Sequence, residues 1–359
     1  MDTDGFYVKN RNRYYNQVKS RQRIIVNINV FSRIYTGSIK NLHSQEKIIL
    51  DNSEPNVYRF GIQRKIVAQM TSESWKSVPH VSYVFRPHMS DFLKAYKKWD
   101  DELAKEGKHV TINTVMLKAI CDALKEAPQL NAHIHFEPRL VRGKVTILNS
   151  IDISMPWKLP DGKMMTITMK DMGSRSLGNI TEYMEKTQKR VLKTNLTQVM
   201  YDVSMQDTFE KLRHGRFIST AMRLIGSKTN KKHRVEPLKG EAKKAYDAIP
   251  DSEKLTKDDL KQGSITISNI GAMTRGHDGE LVLLMIVPPQ VCAIGISSLV
   301  KIPIIKKNEK GEDYVGIEET IPLDIVFDHR VLDFGDIKPF LDALQKILDN
   351  PDDFLKYDD

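Results

Sequence analysis

Residues 326–336 read VFDHRVLDFGD: a histidine at 329 between Asp328 and Arg330, a second aspartate at 333, and a Phe-Gly pair at 334–335. An apolar run, IPLDIVF (321–327), delivers the chain to this turn, and a helical pattern, DIKPFLDALQKILDNP (336–351), takes over almost at once. Loops at the ends of rigid elements are where a fold presents reactive side chains. Imidazole titrates near neutrality, so it can take a proton from a reactant and later return it. A lone histidine is equally well read as a satisfied structural residue. The three charged neighbours in so short a turn tip the reading toward chemistry.

Working outward, strands interleave with helices. FGIQRKIVAQMTSESW (60–75) places Ile62, Ile66, Val67 and Met70 at helical spacing, and VPHVSYVFRPHM (78–89) has the composition of a strand. SDFLKAYKKWDDELAKEG (90–107) opens at a cap-like Ser90-Asp91, and TINTVMLKAICDALKEAP (111–128) is an amphipathic helix that Pro128 helps to end. The runs LVRGKVTIL (140–148), IDISMPW (151–157) and MMTITM (164–169) read as strands, with the turn LPDGK (159–163) before the last of them. SRSLGNITEYMEKTQKRVLK (174–193) reads as another helix. The α/β pattern breaks off at about 196, resumes at about 255 with LTKDDLKQGSITISNIG, and continues through ELVLLMIVPPQVCAIGIS (280–297), two apolar runs around Pro288 and Pro289. The pattern implies a mixed α/β sandwich.

The chain has 359 residues, 40% of them apolar, enough for a substantial core. No apolar stretch approaches the ~20 residues of a spanning helix, and the first residues lack the apolar centre of a signal peptide. A cytoplasmic protein is expected. Cys121 and Cys292 each sit in apolar periodic segments without ligand spacing, which argues against a disulfide framework or a structural zinc. His133 and His135 would share one face of a strand, but no third ligand accompanies them, so no metal is expected. The formal charge of +9 is local: between Lys211 and Lys244 eleven Lys/Arg face two Glu, which accounts for all of it. A second basic stretch, KNRNRYYNQVKSRQR, lies in the first fifty residues, which are read as an extension ahead of a domain spanning 51–359.

The central turn, DHRVLDFGDIKPFLDAL, resembles the DHRxxDG signature of the acyltransferase (E2) catalytic domain of 2-oxo acid dehydrogenase complexes, a family that shares its fold with chloramphenicol acetyltransferase. RKIVAQMTSESWKSVPHVSYVF is similar to that family's opening helix and strand. SITISNIG with IVPPQVCAIGIS resembles its TISNxG and NPPQ segments, and LPDGKMMTITMKDMGSRSLGNI its LPxGLxxPxxxxxxxxSLxxI region. Order and spacing hold from about Tyr58 to Leu355, interrupted by the basic insertion at about 196–255.

The resemblance implies a chloramphenicol acetyltransferase-like mixed-sheet sandwich with helices, forming trimers. It also implies roles residue by residue. His329 matches the catalytic base that deprotonates the acceptor. Ser268, in TISN, matches the hydroxyl that stabilises the tetrahedral oxyanion; outside that motif a strand-end serine bonded to backbone would be the simpler account. Asp333 and Arg64 match a structural ion pair that braces the active-site turn, against the alternative that Arg64 is a solvated helix charge. One position departs: where the family has glycine after the signature aspartate, this chain has Phe334, with glycine displaced to Gly335. If the backbone there required φ > 0 a Cβ would be strained, so Phe334 implies a shifted turn, a reshaped pocket or a silenced site, with reshaping favoured because His329 and Ser268 are both present.

The first fifty residues are too short for a lipoyl domain and show no lysine hairpin, so a freestanding, coenzyme A-dependent acyltransferase without a covalently bound lipoyl group is expected. Its acceptor is small or lipid-like, and its active sites lie between subunits of a homotrimer. A charged C-terminal FLKYDD argues against larger shells. Two rivals stand beside this reading: an E2 core using a lipoyl domain on another chain, and a catalytically silent scaffold. The insertion groups Phe209, Leu212, Phe217, Ile218, Met222 and Ile225 among basic residues. It fits a peripheral contact with a membrane surface, a lid, a coenzyme A phosphate contact or plain decoration. No recognised nucleic-acid module accompanies the charge, so nucleic acid is not an expected partner.

Overall fold

A computed structural model describes residues 60, 62–159, 164–203, 237–271 and 277–358. The N-terminal extension, the turn 160–163 and the central part of the basic insertion lie outside the described residues.

In chain order the main elements are α1 (Ile62–Ser77), β1 (His80–Phe85), α2 (Ser90–Lys105), α3 (Ile112–Glu126), β2 (Ala132–Glu137), β3 (Arg142–Ile147), β4 (Ile153–Lys158), β5 (Met164–Met169), α4 (Leu177–Lys193), α5 (Gly240–Asp247), β6 (Ile265–Asn269), β7 (Cys292–Ile296), β8 (Val300–Lys307), β9 (Asp313–Thr320), β10 (Leu323–Asp328) and α6 (Phe334–Asp349). Six strands form one mixed sheet in the order β1-β10-β7-β6-β4-β5, and β2–β3 and β8–β9 form two separate ribbons. β6 runs parallel to both β4 and β7, and the other neighbours are antiparallel. The expected mixed α/β architecture is what forms.

The sheet has two unlike faces, because side chains alternate along each strand. Ile265 and Ile267, Cys292, Ile294 and Ile296, and Leu323, Ile325 and Phe327 enter the main core. There they meet Phe92 of α2, a buried row of α3, Leu177 and Ile180 of α4, and Phe340 and Leu344 of α6. The opposite parity is mostly small or polar, with Thr266 and Ser268, Ala293 and Gly295, and Asp324 and Asp328, and carries one larger apolar residue, Val326, which packs with Ala293, Val78 and Ile286.

Helix boundaries follow local chemistry. Thr111 caps α3 by accepting from the Thr114 amide, and Ser176 caps α4 by accepting from Asn179. Replacing Ser176 by alanine should cost about 1 kcal/mol, read as a lower urea midpoint with an unchanged slope. Ser90, expected near the cap of α2, is its first residue, with Met89 at the cap position. Its hydroxyl accepts from the Glu319 amide and ties α2 to the second ribbon.

Two expectations are revised. The apolar face of α1 does not enter the core: Ile66, Val67 and Met70 are each more than 40% exposed. The first apolar run of ELVLLMIVPPQVCAIGIS is not a strand; residues 278–287 cross the small-residue face as an irregular strap, and only the second run forms β7. Of the basic insertion, the described parts include α5, whose Tyr246 packs under the Lys254 ammonium.

Candidate active site

β10 is buried along its whole length, and it delivers His329 to a turn whose amides from 329 to 332 are all bonded. The His329 amide donates to the Pro79 carbonyl, and the Val331 and Leu332 amides both donate to the Asp328 carbonyl. Asp328, fully buried, accepts from the Arg330 amide at 3.0 Å and from the Arg330 guanidinium at 2.5 to 3.2 Å. The guanidinium also lies over the ring of Phe136, joining the turn to the β2–β3 ribbon. A carboxylate buried in this way is stable only with its partner in place. The residues on either side of His329 therefore form a clamp around it.

The imidazole is oriented by the same turn. Nδ1 lies 3.0 Å from the Leu332 carbonyl and 3.3 Å from Asp333 Oδ1. The carbonyl oxygen only accepts, so the proton resides on Nδ1 and the lone pair on Nε2. The side chain of His329 is half exposed.

The structure does not join Asp333 to Arg64. Asp333 caps α6 reciprocally with Asp336 and approaches His329, while Arg64 is exposed on α1; among the described residues no ion pair links the two. The glycine-to-aromatic departure carries no backbone strain. Phe334 is the first residue of α6 and is not among the residues with positive φ. Its ring packs edge-on against Tyr83 with centroids 5.0 Å apart and stays half exposed, an aromatic rim beside the histidine turn.

Ser268 lies in β6 on the small-residue face, level with Gly295 of β7, which is level with Asp324 of β10. His329 is five residues beyond Asp324, past the start of β7, so the two candidates sit at opposite ends of the sheet. Five residues along a strand and two strand spacings across put them on the order of 19 Å apart. Within one chain they do not meet.

Several residues with roles here escaped the sequence reading. Asp328 and Arg330 flank His329 in plain view, but only the geometry shows them bonded to each other. Asn269 donates to Asn113 Oδ1 of α3 at 2.9 Å and accepts from the Gly271 amide, fixing the chain after Ser268. His80 is half-buried with its pKa lowered, chiefly by burial, and its Nε2 accepts from the Ile286 amide. Asp324 is buried, and burial pushes its carboxyl upward. An aspartate inside IPLDIVF was the available signal, since a charge in an apolar strand demands partners. The two expected strand histidines both lie on β2, two residues apart; His133 Nε2 lies 3.3 Å from the Gly263 carbonyl, and no cluster of three metal-ligating side chains occurs among the described residues.

Comparison with known proteins supplies the wider context. Residues 53–202 and 233–356 match the model of the 2-oxoacid dehydrogenases acyltransferase (catalytic domain). The dihydrolipoyllysine-residue acetyltransferase component of the pyruvate dehydrogenase complex of Zymomonas mobilis is 20% identical over 88% of this chain and 54% of its own length. The component of the same name from Mycobacterium bovis is 31% identical over 27% of this chain and 17% of its own. The chain thus spans about half the length of such relatives or less. Among solved structures, a probable dihydrolipoamide acetyltransferase from Listeria monocytogenes superposes with a TM-score of 0.55 at 19% identity, covering 84% of this chain and 97% of that one. Dihydrolipoamide acetyltransferase from Azotobacter vinelandii, studied for the roles of a serine, a histidine and an asparagine in its catalytic mechanism, gives a TM-score of 0.55 at 18% identity over 89% and 100%. These likenesses establish the fold.

Proposed function

The chain belongs to the 2-oxoacid dehydrogenase acyltransferase catalytic-domain family, and from that premise we propose that it moves an acyl group from a coenzyme A thioester to a small or lipid-like acceptor, both bound at once, at sites between subunits of a homotrimer. The observation that carries the chemistry is the imidazole of His329, its Nδ1 proton committed to the Leu332 carbonyl and its Nε2 left open. Nε2 takes the proton from the acceptor's nucleophilic atom as that atom attacks the thioester carbonyl carbon. The oxygen of the tetrahedral intermediate then needs a donor, and Ser268 supplies a hydroxyl. On collapse the carbon–sulfur bond breaks, and the imidazolium returns its proton to the departing thiolate. No acyl-enzyme forms.

The sheet supports the subunit arrangement. A base at one end and an oxyanion donor at the other cannot share a carbon within one chain, so Ser268 of a second copy completes the site of His329. In the Azotobacter enzyme the asparagine named for a catalytic role stands four residues after the histidine. Here the fourth residue after His329 is Asp333, within 3.3 Å of the imidazole. Phe334 and Tyr83 shape the rim against which the acyl group or acceptor packs.

A second reading has support from the names of the relatives, which are dihydrolipoyllysine-residue acetyltransferases: a core that accepts a lipoyl domain from another chain. Acyl-CoAs of increasing chain length, with and without dihydrolipoamide, distinguish the two when release of coenzyme A is followed. The expected outcome is turnover with a cell-extract acceptor and no requirement for dihydrolipoamide. A strict requirement supports the second reading, and silence with every donor leaves a non-catalytic scaffold.

A further inference from the structure

The strap at 278–287 has no secondary structure of its own, yet its backbone is bonded almost continuously to the elements beneath it. The Gly279 carbonyl accepts from the Ser298 amide, and the Leu281 amide donates to Ser297 Oγ at 2.9 Å. Further along, the Leu284 amide donates to Asp324 Oδ2 at 2.9 Å, the Ile286 amide donates to His80 Nε2 at 3.2 Å, and the Ile286 carbonyl accepts from Ser74 Oγ at 2.5 Å. Glu280 pairs with Arg86 at the exposed end. Irregular backbone lying against a sheet face needs such partners in place of a ladder.

One of these anchors fixes a proton. Ser82 Oγ lies 2.5 Å from the Val282 carbonyl oxygen and 2.6 Å from Asp324 Oδ1. Two oxygen–oxygen contacts this short each require a proton between them. A serine hydroxyl has one, and a carbonyl oxygen has none. If Ser82 donates to Val282, the second proton belongs to the aspartate. If Ser82 donates to Asp324 instead, the Val282 oxygen faces a lone pair at contact distance. We propose that Asp324 is held as a neutral carboxylic acid, donating to Ser82 Oγ while Ser82 donates to Val282, and that this proton fastens the strap over the small-residue face of the sheet.

The surroundings agree. Asp324 is fully buried, and among the described residues no lysine, arginine or histidine pairs with it. Its titratable neighbour within the sheet is the Cys292 thiol of β7, itself pushed up chiefly by burial. From β1 it meets Ser82, and from the strap the Leu284 amide; the Arg86–Glu280 pair at the strap's end faces solvent. Burial raises the acid's pKa in the direction the proton count demands. His80 obeys the opposite rule at the other end of the strap. Its Nε2 must carry a lone pair to accept from Ile286, and it faces Asp328 and Arg330 of the histidine turn and Ser74 and Trp75 of α1.

The strap therefore has two limits. The raised acid contributes stability at low pH that is lost as pH rises through its native pKa. The lowered imidazole contributes stability at high pH that is lost as pH falls through its own. The strap's position gives this a bearing on the site. Leu281 covers Gly295, where an added Cβ would come within 2.6 Å of it, and Gly295 is the neighbour of Ser268. Asp324 and His80 are positioning residues for that wall, and the inference holds whether or not the acyltransferase reading does.

Hydrogen exchange of the Leu284 and Ile286 amides, corrected for intrinsic rates, tests it in the intact protein from mildly acidic to alkaline pH. In the wild type, protection of Leu284 should fall by roughly tenfold per pH unit between the ordinary carboxyl range and the acid's raised native pKa, and level off above it. In Asp324→Asn, whose amide can donate to Ser82 and accept from Leu284, that protection should stay flat. Ile286 should lose protection on the acid side in both proteins. The same fall in both would overturn the proposal. The infrared carbonyl band of a protonated carboxyl in the wild type should persist at neutral pH and vanish over the pH range in which the fall in protection levels off. Its absence at neutral pH would overturn the proposal whatever the variant does.

Discussion

Replacing His329 by alanine lowers acyl transfer by roughly 10²- to 10⁴-fold, the usual contribution of a positioned general base. The loss falls on turnover, because the imidazole bonds only within its own turn and leaves substrate-binding surfaces in place. Folding is expected to survive. The side chain is half exposed, and the clamp that shapes the turn, Asp328 with Arg330, does not use the imidazole. Asparagine at 329 gives the same result, since an amide can take the carbonyl contact of Nδ1 but cannot accept the acceptor's proton. The measurement is coenzyme A release at saturating substrate, with circular dichroism as the folding control. Activity within threefold of wild type would remove His329 from the chemistry.

Mixing two inactive chains should restore activity. Ser268→Ala alone is expected to cost about 10²- to 10³-fold, the loss of one oxyanion donor. If His329 of one copy works with Ser268 of its neighbour, a trimer reassembled from equal amounts of the His329→Ala and Ser268→Ala chains contains sites with both residues intact, about a quarter of the total for random cyclic assembly. A site built within one chain would contain none. Recovery to about a quarter of wild-type turnover after co-refolding, against silence of each variant alone, distinguishes the arrangements without a structure of the complex. Failure of the mixture where wild type refolds would separate His329 from Ser268 and leave the long distance between them in a single sheet without a catalytic meaning.

Much of the architecture was legible because apolar periodicity is a local signal. The helix at 112–126, the buried strand into His329 and the helix after it were each set by their own residues and caps. The strap was not legible. ELVLLMIV has the composition of a strand, but it lies across the face of the sheet, where no ladder partner is on offer, and most of its backbone bonds go to side chains instead. The same limit hid the clamp: Asp328 and Arg330 adjoin His329 in sequence, but whether they hold each other or solvent depends on burial. The expected Arg64–Asp333 pair does not form within one chain, where α1 leaves Arg64 at the surface, since a charge on an amphipathic helix says nothing about which way the helix faces. Ser268 could be read as a strand-end hydroxyl, but its remoteness from His329 is a property of strand order.

The ordinary helical backbone at Phe334 has an evolutionary implication. A site in left-handed conformation is closed to most of the genetic code, whereas the first residue of a capped helix admits nearly every side chain at little conformational cost. Mutation at this one codon can therefore exchange the group that borders the histidine and leave the scaffold folded, which makes it a natural place for related proteins to diverge in what they accept.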